Sequence, residues 1–134
     1  MADRILVIDD EAGIREGIKR GLTPQGYIVE TAENGEQGLA LFRQNPCDLV
    51  LLDVMMPGIS GIDLIGEIHK IDPEAICIII TGYATVEMAV RAIKEGAYDF
   101  LTKPFSVDDL LLVVRQGLER RRLSLETRRL QSIE

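Results

Sequence analysis

The chain has 134 residues, enough for one compact domain with a short extension, and its 46% hydrophobic content supports a core without disulfides or a structural metal. Net charge is −7, unevenly spread: six Arg against three Glu leave +3 over residues 115–134 and −10 over the rest. An acidic body disfavours direct binding to nucleic acid or an anionic membrane, and suits a module that gathers carboxylates around a cation.

The first apolar run, Ile5–Ile8, predicts a buried strand and ends in Asp9-Asp10-Glu11. It is too short for a secretory signal, and no segment approaches the roughly 20 apolar residues needed to span a bilayer, so the chain reads as cytosolic. Ile14, Ile18 and Leu22 then mark a helical stripe. Tyr27–Val29 predicts a second strand toward a sheet edge, and Leu39 and Phe42 mark a helix after Asn34-Gly35. Leu49–Leu52 predicts the most central strand, ending in Asp53. Ile62, Ile65 and Ile68 give a third helix, stopping before Asp72-Pro73; His69, near its end, reads as a surface residue and not as a phosphoryl carrier. The run Ile76–Ile80 predicts a fourth strand leading to Thr81-Gly82, with Cys77 inside it as a small buried thiol. Neither Cys77 nor Cys47 has a CxxC partner or a ligand-spaced His. Val86, Ala89, Val90 and Ile93 give a fourth helix stopped by Gly96. Phe100–Leu101 is the fifth strand, followed by Thr102-Lys103-Pro104.

A last helix starts at Val107, with Leu110, Leu111 and Val114 on one stripe, Ser106 as N-cap and Asp109 as its capping-box partner. It meets no Gly-Pro stop before about Leu130, although Gly117 costs about 1 kcal/mol in a helix interior. Leu111, Leu118 and Leu125 recur every seven residues, as do Leu123 and Leu130, barely two heptads, which favours extension into a dimeric coiled coil over a monomeric linker helix. The Arg residues here alternate with Glu and Leu, so they read as a solvated helix face. The domain is expected over residues 1–120, with 121–134 as a helical linker toward an output domain beyond Glu134.

Strands alternating with helices imply a doubly wound α/β sandwich with a five-stranded parallel sheet. Ligands bind such sheets at the carboxyl ends of the strands, near the switch point in strand order. Residues with useful chemistry follow four of the five runs, while the second ends in Glu30-Thr31-Ala32. Converging there, Asp9, Asp10 and Asp53 would repel one another, and a hard cation in an oxygen-lined site, Mg²⁺, resolves the conflict. With Lys103 and the Thr81 hydroxyl the set matches phosphoryl transfer, where positioning and neutralisation do most of the catalysis. Asp53 is the candidate nucleophile, giving an acyl phosphate. Asp10 would ligate the metal directly, Asp9 through water, and Met55 through its backbone carbonyl.

The stretches ILVIDDE (5–11), DLVLLDVMMPGISGIDLI (48–65), IIITGYAT (78–85) and GAYDFLTKPF (96–105) resemble the receiver domain of two-component response regulators. The resemblance implies a flavodoxin-like (βα)5 sandwich, Asp53 as phosphoacceptor, and Asp9 and Asp10 as the acidic pair for Mg²⁺. It also implies that Thr81 and Phe100 couple phosphorylation to shape, and that the bond between Lys103 and Pro104 is cis. Phe100 stands where the family more often has Tyr, so coupling there runs through packing and not a ring hydroxyl. The wording of residues 81–105 resembles receivers of NtrC-type activators, which work with the alternative sigma factor. In such proteins an AAA+ ATPase and a DNA-binding domain follow, and no GxxxxGK[ST] motif occurs here.

The resemblance further implies a sensor histidine kinase as phosphodonor and a homodimer through the fourth helix, fifth strand and extended fifth helix. Neither Met55, two residues after Asp53, nor Tyr83, two after Thr81, can position an attacking water, so self-hydrolysis should be slow. Three rival readings fit less well. A haloacid-dehalogenase-type phosphatase needs a second Asp where Met55 stands; a dinucleotide-binding domain needs GxGxxG after the first strand; and the complete Asp/Asp/Asp/Thr/Lys set argues against a scaffold that works unphosphorylated.

Overall fold

The computed structural model describes residues 2–82 and 85–133. Five strands, β1 (Arg4–Ile8), β2 (Ile28–Ala32), β3 (Leu49–Leu52), β4 (Ile76–Thr81) and β5 (Asp99–Thr102), alternate with five α-helices. The helices are α1 (Ala12–Leu22), α2 (Gly35–Gln44), α3 (Gly61–Ile71), α4 (Val86–Lys94) and α5 (Val107–Ile133). All strand pairs are parallel, in the order β2-β1-β3-β4-β5, so the order reverses between β1 and β3. This is the expected doubly wound fold.

The continuous apolar runs feed two cores, because alternate side chains of a strand point to opposite faces. Leu6, Ile8, Val50, Leu52, Cys77 and Ile79 pack under α2 and α3, with Phe42 and Ile65 fully buried among them. Ile5, Val7, Leu49, Leu51, Ile78 and Ile80 pack under α1 and α5 on the other face. Side-chain caps fix the helix starts: Asn34 accepts from Gln37 N at 2.8 Å, Ser60 from Asp63 N at 3.1 Å, and Thr85 from Met88 N at 3.1 Å. The expected Ser106 cap is present too, accepting from Asp109 N at 3.0 Å.

Three details differ from the sequence reading. β2 begins at Ile28, so Tyr27 precedes the strand, while Glu30, Thr31 and Ala32 lie within it. His69 is half-buried, not on the surface: its Nε2 lies 2.9 Å from Ala75 O, and its ring sits against Gly96, whose φ of +113° requires glycine. The stripe of α4 also turns outward, leaving Val86, Val90 and Ile93 exposed while Ala92 enters the core.

Gly117, unfavourable for a helix in isolation, lets α5 lie against the sheet: a Cβ there would stand 2.9 Å from Ile76 Cγ2 and 3.0 Å from Leu49 Cδ1. One turn later, Arg121 joins α5 to the loops before β3 and β4. Its Nε is 3.0 Å from Asp48 Oδ1 and its Nη1 3.0 Å from Asp72 Oδ2, with the Arg121 side chain 15% exposed. Such half-buried, doubly paired contacts lie between surface and interior ion pairs in worth. Arg121→Ala is therefore expected to lower stability by about 1–2 kcal/mol in urea denaturation and to speed amide exchange beyond residue 121. An unchanged midpoint would show that the pairs add nothing. Burial pushes both thiols, Cys47 and Cys77, up to about 12, which keeps them protonated and inert at neutral pH.

Candidate functional site

The chain leaves β1 and β3 side by side at the point where strand order reverses, and Asp9 and Asp53 are the first residues past those strands. Main-chain bonds fix both: Asp9 N donates to Ala32 O at 3.1 Å and Asp53 N to Ile8 O at 3.0 Å. Asp9 is fully buried and Asp53 nearly so, whereas Asp10 and Glu11 are exposed at the rim. Carboxylate oxygens of Asp9, Asp10, Glu11 and Asp53 all lie within 4.8 Å of one another.

Lys103 enters from the end of β5, its backbone N bonded to Thr81 O at 2.9 Å across the neighbouring strand. The Lys103–Pro104 peptide bond is cis. Its Nζ lies 2.8 Å from Asp9 Oδ2, 2.9 Å from Asp53 Oδ2 and 3.2 Å from Glu11 Oε1. Burial by itself would depress this ammonium, but the close carboxylates of Asp9 and Asp53 outweigh that and raise its pKa above the ordinary value. Asp9 shows the opposite balance: burial is the largest influence and raises its pKa despite the ammonium of Lys103 and the bond from Glu11 N.

Lys103 does not satisfy every acceptor. Asp9 Oδ2 is buried and, despite the ammonium beside it, lacks a well-directed hydrogen bond. A buried carboxylate oxygen without such a bond, facing further carboxylates, is the donor set of a hard divalent cation. The residues fit one: Asp9, Asp10, Glu11 and Asp53 are the oxygen donors brought together. Met55 N donates to Asp53 Oδ1 at 2.8 Å, a local turn that ties the start of the following loop to the carboxylate. Thr81 is buried at the end of β4, level with Thr102 on β5, and Phe100 is 40% exposed on β5. Tyr83, invoked for phosphoryl lifetime, lies outside the described residues.

Two neighbours have no role in the sequence reading. Glu11 pairs with Lys103, and its place as third acid in the run was the available signal. Arg15, one helical turn on, donates through Nη1 to Asp9 O at 2.7 Å, a contact with no sequence signature. Behind Asp53, α3 begins at Gly61, where a Cβ would stand 2.6 Å from Val54 Cα and 3.0 Å from Asp53 O. Backbone cannot yield as a side chain can, so Gly61→Ala is expected to cost about 2–3 kcal/mol and to displace Asp53. Urea denaturation reads the first effect, and an unchanged midpoint would contradict the close packing.

A parallel sheet with acidic residues and a lysine gathered at its switch point makes this a doubly wound α/β domain with an acidic site where such folds bind ligands. Comparison with known families makes it specific: residues 5–115 match the response regulator receiver domain, and the chain belongs to that family. It is 36% identical to the C4-dicarboxylate transport transcriptional regulatory protein DctD of Rhizobium meliloti (strain 1021), over 96% of this chain and 28% of DctD. Crystalline NtrX from Brucella abortus in complex with ADP superposes with a TM-score of 0.91 at 39% identity, covering 97% of this chain and 30% of NtrX. A solution structure of the beryllofluoride-activated NtrC4 receiver domain dimer superposes with a TM-score of 0.84 at 37% identity, covering 88% of this chain and 98% of that one. The chain thus spans under a third of the length of DctD and NtrX. Among the described residues, no helix is long and apolar enough to cross a membrane.

Proposed function

We propose that this domain is a phosphorylation switch in which Asp53 takes a phosphoryl group from a histidine of a partner sensor kinase. An Asp53 carboxylate oxygen bonds to phosphorus while the P–N bond to the donor imidazole breaks. The leaving nitrogen keeps the electron pair, and an aspartyl phosphate remains. Lys103 and Thr81 grip phosphoryl oxygens, stabilising charge as it spreads over them. Asp9, Asp10, Asp53 and the Met55 carbonyl would hold Mg²⁺, which would supply charge neutralisation between the carboxylates and the incoming phosphoryl group. Asp9 and Asp53 keep their places through main-chain bonds to β2 and β1, so the nucleophile is positioned before the donor arrives. The observation that carries this reading is the convergence of Asp53, Asp9 and Lys103 within 2.9 Å contacts at the switch point.

The switch reaches the surface through Thr81 and Phe100, which take different positions in two packed states. Exposed Val86, Val90 and Ile93 on α4, with Phe100 on β5, support a homodimer through α4, β5 and α5. The greater length of DctD and NtrX supports residues 121–134 as a linker to AAA+ and DNA-binding output domains, and hence sigma-54-dependent transcriptional control in the cytoplasm. The test is intact mass after incubation with acetyl phosphate, with and without Mg²⁺. A gain of one phosphoryl group that chelation abolishes is expected. No gain with either acetyl phosphate or a histidine-phosphorylated kinase would overturn the reading.

A further inference from the structure

The loop after Asp53 is held at both ends by carboxylates. At its start Met55 N donates to Asp53 Oδ1, and at its far end Ile59 N donates to Glu36 Oε1 at 2.9 Å. Glu36 belongs to the first turn of α2, 23 residues earlier, on an element otherwise remote from the chemistry.

The fit around this bond is close from both sides. Gly58, at φ +88°, lies under the carboxylate: a Cβ there would stand 2.6 Å from Glu36 Oε1 and 3.0 Å from Oε2. Gly35, next to Glu36, faces Ile59 in turn, and a Cβ on it would stand 2.2 Å from Ile59 Cγ2. Two glycines therefore bring the start of α2 and the Gly58-Ile59 turn together, and Glu36 bonds across the junction. The Ile59 N–H also holds this carboxyl below its ordinary pKa, so the acceptor is charged at neutral pH. On either side of Met55, Val54 and Met56 are buried in the core while Met55 itself is 53% exposed. Met55 thus sits on the outer arc of a loop whose far end is fixed by Glu36.

We infer that Glu36 is a positioning residue for the phosphorylation site: by accepting the Ile59 N–H it fixes the far end of the loop that carries Met55, whose carbonyl is the metal ligand proposed above. This rests on the phosphoacceptor reading above. A ligand carried on a loop binds more tightly when groups behind it hold the loop in place.

The test compares the wild-type chain, Glu36→Ala and Glu36→Gln, the last keeping an acceptor oxygen. Two quantities are read by NMR without phosphodonor: exchange of the Ile59 amide in metal-free protein, and Mg²⁺ affinity from titration of amides near Asp53. Glu36→Ala is expected to speed Ile59 exchange and weaken Mg²⁺ binding by about threefold or more, with Glu36→Gln restoring most of both. Faster exchange with unchanged Mg²⁺ affinity overturns the inference, as does unchanged exchange. A wild-type chain that takes up no Mg²⁺ overturns the phosphoacceptor reading and this inference with it, so the two failures are distinct.

Discussion

Asp53→Asn should abolish phosphoryl uptake while leaving the fold intact. The substitution removes the proposed nucleophile and the Oδ2 acceptor of Lys103 Nζ. An amide oxygen in the place of Oδ1 still accepts from Met55 N, and Lys103 keeps Asp9 and Glu11 as counter-charges, so its ammonium can turn away from the amide NH2. The charge of Asp53 also weighs on buried Asp9, raising its pKa, so its loss relieves repulsion. Stability is accordingly expected to stay level or rise slightly in urea denaturation. Intact mass after acetyl phosphate and Mg²⁺ reads the chemistry. A variant that gained a phosphoryl group as fast as the wild type would move the acceptor elsewhere and sink the assignment.

Lys103→Met should be damaging twice over, and the two effects separate. The Lys103 side chain is 12% exposed, and its ammonium faces Asp9, Asp53 and Glu11 within 3.2 Å. Methionine keeps most of the stem and removes the charge, leaving two buried carboxylates uncompensated, at a cost of roughly 3–5 kcal/mol in metal-free protein. Saturating Mg²⁺ replaces the missing positive charge, so the stability deficit should shrink when the metal is added. The rate deficit should not: losing a fixed charge that stabilises the transferring group costs about 100-fold or more. Initial rates of mass gain and urea midpoints, each with and without Mg²⁺, resolve the two. Wild-type rates in Lys103→Met would remove the lysine from the mechanism.

Much of this fold was legible because a parallel sheet buried on both faces writes itself as uninterrupted apolar runs. Leu49–Leu52 and Ile76–Ile80 carry no polar residue, and both became central strands. β2 was harder to place: as an edge strand with Ile28 44% exposed and Glu30 and Thr31 within it, it has only half the signal. The outward turn of α4 illustrates a different limit. Periodicity identifies a helix but not the face it gives to the sheet, and small Ala92 packs inward while Val86, Val90 and Ile93 stay outside. Asp9, Asp53 and Lys103 could be read as a set because each ends a strand, so topology alone brings them together. Arg15 and Glu36 could not, since each reaches a backbone atom whose position only the folded chain defines.

Arg121 has a mechanical consequence. Beyond its bonds to Asp48 and Asp72, α5 continues to Ile133 as unbroken helix, about 18 Å of rod whose further ion pair to the body is the looser one of Arg128 Nη1 with Glu74 Oε1 at 3.7 Å. The other end of the same rod begins at Val107, four residues after Lys103. Leu110, Val113 and Val114 seat its first half in the core, so a repacking there that tilted the rod by about 10° would carry the far tip about 3 Å. Gly117, pressed on Ile76 and Leu49, sets how closely the rod lies on the sheet, and a bulkier residue there would lift it as well as strain the core.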